Sequence, residues 1–192
     1  MSAATTRSGT VITESVGPVI ILSGGQHEVL DRYGVEYLIV GGVAAIGYGA
    51  QRPTDDADCV VRRDRANLER LAGALRELRA RLRVAGLSDE EARRLPVEID
   101  ATALGMAGMT TWMTDAGPFD VLAGLEAAGG RLVPYEDLVE RATVLQGDGF
   151  VIHAAGLEDI IAAKEQAGRA KDKEVLPELR ALLDPAGAAK DE

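Results

Sequence analysis

The sequence predicts an α+β fold in which a mixed β-sheet is flanked by helices and a small helical part lies at the C-terminal end. Three observations carry this expectation. A β-branched and aromatic run, Val35 to Val40, sits between glycines, as a buried strand does. Leu68, Leu71, Leu75, Leu78 and Leu82 recur at three- and four-residue steps, which draws one apolar helix face. Two apolar runs, Thr110–Met113 and Phe119–Leu122, flank the turn sequence Asp115-Ala116-Gly117-Pro118 and read as an antiparallel hairpin.

Residues 1–15 are small and polar and are expected to form a disordered tail; residues 185–192 form a second, flexible one. Apolar residues from Val19 to Tyr33 predict a helix that Gly34 ends, with Gly24-Gly25 interrupting it. After the strand ending at Val40, Gly41-Gly42 opens a short helix of small residues that closes near Gly47 to Gly49. Arg52-Pro53 makes a turn, and a second strand runs from Asp56 to Val61. The leucine-rich helix is expected over 64–83, with Asp64 as its N-cap. Val97 to Leu104 and Met109 to Thr114 read as strands, and Tyr135 to Arg141 as a helix. A hairpin from Thr143 to His153 turns at Gly147-Asp148-Gly149, and two helices follow from Leu157. Residues 16–130 then make the core, and residues 131–184 supply the hairpin and helices that complete its site.

Composition narrows the function. With 46% hydrophobic and 27% charged residues the 192-residue chain is that of an ordinary globular domain. No stretch reaches the roughly 20 apolar residues of a membrane span, and the N-terminus lacks the features of a signal peptide, so a soluble, cytoplasmic protein with no membrane partner is expected. The single cysteine, Cys59, forms no internal disulfide and reads as a small buried strand residue. A net charge of -10 argues against non-specific coating of nucleic acid. Residues 62–94 depart from this balance with ten arginines against six acids, a patch that either meets an RNA backbone or forms a solvated face with pairs such as Arg65–Glu69 and Glu77–Arg81.

The chemistry concentrates around two aspartates. Side chains alternate along a strand, so Asp56 and Asp58 share one face, and Asp55 reads as a turn residue. Two carboxylates so placed repel unless a cation lies between them, and hard divalent ions bridging carboxylates to phosphates are the usual answer. Asp120, isolated in Phe119-Asp120-Val121-Leu122, is the candidate third ligand because an unpaired carboxylate there is costly to bury; Asp100 is the rival. Gly41-Gly42 at a helix start offers free backbone N–H groups to a phosphate. No His/Cys spacing suggests zinc, Trp112 reads as core, and Arg169 and Lys171 read as helix-surface residues.

The string Gly41-Gly42 followed by Arg52-Pro53-Thr54-Asp55-Asp56-Ala57-Asp58 resembles the signature of the DNA polymerase β-like nucleotidyltransferase superfamily. The segment Leu157 to Asp172 resembles the C-terminal motif of one branch, the AbiEii/MenT-type toxins of bacterial toxin–antitoxin pairs. The resemblance implies a mixed-sheet nucleotidyltransferase core and two Mg²⁺ ions, with Mn²⁺ as substitute, on Asp56, Asp58 and Asp120. It also implies nucleotide contacts from Gly41, Gly42, Arg52, Thr54, Lys164 and Asp172, with Asp172 orienting either Lys164 or an incoming acceptor group. The implied partners are an NTP, the 3′ end of tRNA as acceptor, and a cognate antitoxin; the alternative readings are transfer to a small molecule such as an aminoglycoside or to a protein, and a non-catalytic antitoxin or binding module of the same fold. Where the superfamily commonly has Gly-Ser, this chain has Gly-Gly.

Overall fold

The computed structural model describes residues 10–12, 25–84, 86–92, 94–95, 97–147 and 150–184. Its main sheet joins β1 (Thr10–Ile12), β2 (Tyr37–Val40), β3 (Ala57–Val61), β4 (Arg81–Leu82), β5 (Met109–Thr114), β6 (Gly117–Leu122), β9 (Thr143–Gly147) and β10 (Phe150–Ala154) in the order β1-β9-β10-β2-β3-β6-β5-β4. Pairing is mixed: β3 runs antiparallel to β2 and parallel to β6, and β5 and β6 form the expected hairpin. The helices are α1 (Gln26–Arg32), α2 (Gly41–Tyr48), α3 (Arg65–Glu77), α4 (Asp89–Ala92), α5 (Ala101–Met106), α6 (Tyr135–Leu138), α7 (Leu157–Ala167) and α8 (Ala170–Leu183).

The α+β class is as the sequence predicts, and the central strands are where pattern placed them. Val40, Val60, Val61 and Phe119 are almost wholly buried, and Cys59 and Trp112 join this core. Helix α3 presents Leu68, Leu71 and Leu75 to it, and Asp64 caps the helix by accepting from the Asn67 N–H at 3.0 Å. At about 25 cal/mol per Å² of apolar surface, burial of such side chains is the main driving term.

Four expectations are corrected. The helix over 64–83 ends at Glu77: Arg79 turns the chain with φ 51°, and Arg81–Leu82 pair with Met113 and Trp112 at the sheet edge. Leu82 keeps the leucine period, but edge pairing overrides it. Val97 to Leu104 is not a strand; Asp100 accepts from the Ala103 N–H at 2.7 Å and starts α5. Residues 10–12, within the expected tail, form β1 beside β9. Glu77 pairs with Arg32 rather than with Arg81, which faces Asp115.

A second small sheet, β7 (Gly124–Ala127) with β8 (Arg131–Pro134), had no distinct sequence signal. Of the first expected helix, residues 19–24 lie outside the described residues, as do Asp148 and Gly149 of the expected hairpin turn and the segments 1–9 and 185–192.

Candidate active site

The end of β2, the start of α2, the entrance of β3 and the middle of β6 converge on one cleft of about 1220 Å³. In the sheet register Asp58 stands beside Val40 on one side and Asp120 on the other, so two carboxylates project side by side from parallel neighbours. Asp56 lies just before β3 and joins them: a carboxylate oxygen from each of the three lies within 4.8 Å of the others. Asp100, tied to the cap of α5, is not part of the group.

Close approach of the backbone makes this packing possible. Gly41 has φ 64°, and a Cβ there would lie 1.9 Å from Asp58 Oδ2. Glycine is therefore required at this position both for backbone conformation and for space.

Three crowded carboxylates leave an electrostatic signature. Asp58 is pushed up to about 6, first by burial and then by the charges of Asp56 and Asp120, with Lys171 and Lys164 opposing. Asp120 is also raised, chiefly by burial, while its cross-strand neighbour Thr111 pulls it down through a hydrogen bond. Its Oδ1 is buried with no hydrogen-bond partner among the described residues. An orphaned buried oxygen, two neighbouring carboxylates and hard oxygen chemistry fit a divalent cation of the Mg²⁺ or Mn²⁺ type.

Opposite the carboxylates, α7 and α8 bring cations. Lys164 Nζ lies 3.4 Å from Asp172 Oδ1, and Arg169 Nε donates to Asp172 Oδ2 at 2.6 Å. Asp172 is completely buried. Burial alone would raise its pKa, but Arg169 and Lys164 outweigh this and hold it below the usual carboxylate range. Lys171 takes no part in the Asp172 ion pairs; it lines the cleft, and its charge reaches Asp58 and Asp120. A lysine in the first turn opposes the α8 dipole, so it does not sit there for the helix's own stability.

Arg52 and Thr54 also line the cleft; Arg52 is ion-paired with Glu174 of α8, and Thr54 hydrogen-bonds Asp56. Asp55 is exposed at the rim, as a turn residue would be. Arg169, Lys171 and Arg83 are cleft residues that the sequence reading missed. The approach of α8 and of β4 to the carboxylates is long-range and leaves no local signal; only the anti-dipole placement of Lys171 hinted at it. Much of the arginine-rich segment is committed elsewhere: Arg62 to Glu36 and Asp64, Arg65 to Glu69, Arg79 and Arg81 to Asp115, Arg94 to Glu90. The solvated-face reading therefore describes most of it.

Similarity to known proteins was found in structure alone. No family model matches the sequence, and no curated protein matches it. The lincosamide antibiotic adenylyltransferase LnuA, solved with lincomycin bound, superposes with a TM-score of 0.52 at 10% identity, covering 81% of this chain and 92% of that one. The chain has the nucleotidyltransferase fold. A Thermotoga maritima protein assigned as a nucleotidyltransferase gives 0.48 at 16% identity, covering 79% of this chain and 88% of that one. The antibiotic-resistance factor ANT(2'')-Ia gives 0.42 at 15% identity, covering 85% of this chain and 90% of that one. Among the described residues no helix is long and apolar enough to cross a membrane.

The raised carboxylates predict a pH-dependent response to metal. A group whose folded pKa lies above its unfolded value adds stability that is fully present below the unfolded pKa and is lost as pH rises through the folded one. For Asp58 that window runs from 3.8 to about 6. A divalent cation binds the ionised carboxylates, so its stabilising effect grows across the same window. By thermal melting, about 10 mM Mg²⁺ is expected to raise the Tm by several degrees near pH 7.5 and by less than about one degree near pH 5. An equal shift at both pH values contradicts this assignment.

Proposed function

We propose that this chain is a divalent-metal-dependent nucleotidyltransferase that moves NMP from an NTP to an acceptor hydroxyl and releases pyrophosphate. The observation that carries the reading is the Asp56, Asp58, Asp120 cluster beside the glycine-opened N-terminus of α2, faced by Lys164, Arg169 and Lys171 across one cleft.

Asp56, Asp58 and Asp120 would hold two Mg²⁺ ions, or Mn²⁺, which when bound supply Lewis acidity to the acceptor hydroxyl and the phosphate oxygens. The chain's own groups do the rest. Backbone N–H groups at Gly41 and Gly42 receive phosphate oxygens at the positive end of α2. Lys164, fixed by Asp172, with Arg169 and Lys171, balances the charge of the triphosphate and of the departing pyrophosphate. In the transfer the acceptor oxygen bonds the α-phosphorus as the bond from phosphorus to the α,β-bridging oxygen breaks. A carboxylate of the Asp56, Asp58, Asp120 cluster takes the acceptor proton.

For the acceptor we read the 3′ end of tRNA, and for the protein the role of a toxin held in check by a cognate antitoxin. This rests on the resemblance of Leu157 to Asp172 to the AbiEii/MenT-type motif. Arg83 lines the cleft near Asp120, which supports a contact between the 62–94 segment and an acceptor phosphate. The test supplies α-labelled NTPs and Mg²⁺ with total RNA, an aminoglycoside panel and protein as separate acceptors. Label on tRNA is expected. Label on an aminoglycoside alone would move the function to small-molecule modification, and label on none, with a control enzyme active, overturns the reading.

A further inference from the structure

We propose that Thr54 is a positioning residue for Asp56, and that position 42 is glycine in order to give Thr54 its place. The inference rests on the reading that Asp56, Asp58 and Asp120 hold a divalent cation.

The three carboxylates are not held equally. Asp58 and Asp120 sit within paired strands, where the register fixes their backbones. Asp56 precedes β3, outside the ladder, and needs another restraint. Thr54 supplies one: its hydroxyl donates to Asp56 Oδ1 at 2.6 Å, while Asp56 Oδ2 accepts no hydrogen bond among the described residues. A hydroxyl has one proton, and a contact this short to a carboxylate is charge-assisted. The proton is thus committed to Asp56 and is not available to a nucleotide phosphate. Thr54, expected from the resemblance as a nucleotide contact, acts instead by holding one carboxylate oxygen and leaving the other for the cation.

Gly42 completes the device. A Cβ at Gly42 would lie 2.5 Å from Thr54 Oγ1 and 2.6 Å from Thr54 Cβ. Unlike Gly41, Gly42 has no left-handed φ, so its backbone would accept any residue. What demands glycine is the volume of Thr54. The two glycines therefore serve different carboxylates: Gly41 clears Asp58 directly, and Gly42 clears the residue that holds Asp56.

The test is Mn²⁺ binding to the full chain, read by the EPR signal of free Mn²⁺, with thermal melting alongside. Thr54→Val keeps the shape and removes the hydroxyl; it should bind Mn²⁺ about tenfold more weakly, the usual effect of losing a group that orients a ligand, with little change in metal-free Tm. Thr54→Ser should keep wild-type affinity. Gly42→Ala should weaken binding at least as much as Thr54→Val. The double variant Gly42→Ala/Thr54→Gly should bind no more weakly than Thr54→Gly alone, because Gly42 acts only through Thr54. Wild-type affinity in Thr54→Val, or a double variant well below Thr54→Gly, overturns the proposal. A wild-type chain that binds no Mn²⁺ overturns the metal reading beneath it, which distinguishes the two failures.

Discussion

Asp58→Asn is expected to abolish nucleotidyl transfer, by about a thousandfold or more, while raising the melting temperature of the metal-free protein. The two effects come from one cause. Asp58 is crowded by Asp56 and Asp120 and shielded from water, so at neutral pH its charge opposes folding; a pKa near 6 instead of 3.8 corresponds to a penalty on the order of 2–3 kcal/mol. Asparagine keeps the shape and removes that charge, which for a chain of this size is worth roughly 5 °C. In the proposed function the same charge attracts the cation, so its removal is expected to take the metal and the reaction with it. Calorimetry with and without Mg²⁺, set beside the labelled-NTP assay, measures both. A variant that keeps more than a tenth of wild-type transfer removes Asp58 from the site, and one that melts well below wild type without metal shows that the carboxylate supports the fold rather than strains it.

This functional strain explains why the centre of the fold was legible in the sequence. Asp56 and Asp58 two residues apart at a strand, and Asp120 alone among Phe119, Val121 and Leu122, break the local hydrophobic pattern where a structural residue would have kept it. Period-two alternation then predicted which aspartates share a face, and the β3/β6 register sets Asp58 beside Asp120. Legibility failed where long-range pairing decided the outcome. Leu82 fits the α3 leucine period yet belongs to β4, because an open strand edge at β5 was there to receive it. Asp100 looked like a strand carboxylate until its side chain was found capping α5. Arg83 and Lys171 reach the cleft from elements whose approach no spacing encodes. The Gly42–Thr54 contact likewise depends on how the turn before β3 folds back over α2.

The cationic side of the cleft should fail differently. Asp172→Asn is expected to destabilise the protein by about 3 kcal/mol and to cut transfer by about a hundredfold, with metal binding largely kept. Asp172 is fully buried and balances Lys164, itself only 13% exposed, together with the more accessible Arg169. Removing one partner of a buried pair leaves the other uncompensated, which costs more than the pair contributes in net stability. Here the cost stays at the low end of the usual range because Arg169 can turn to solvent, whereas Lys164 cannot. Adding Lys164→Met to Asp172→Asn should therefore recover part of the lost Tm, since no buried orphan cation remains, yet recover none of the activity, since the proposed phosphate contact is gone. This opposite response of stability and turnover separates a charge kept for the triphosphate from one kept for the fold. If the double variant melts lower than Asp172→Asn alone, Lys164 stabilises the structure in its own right, and its assignment to the nucleotide loses its physical basis.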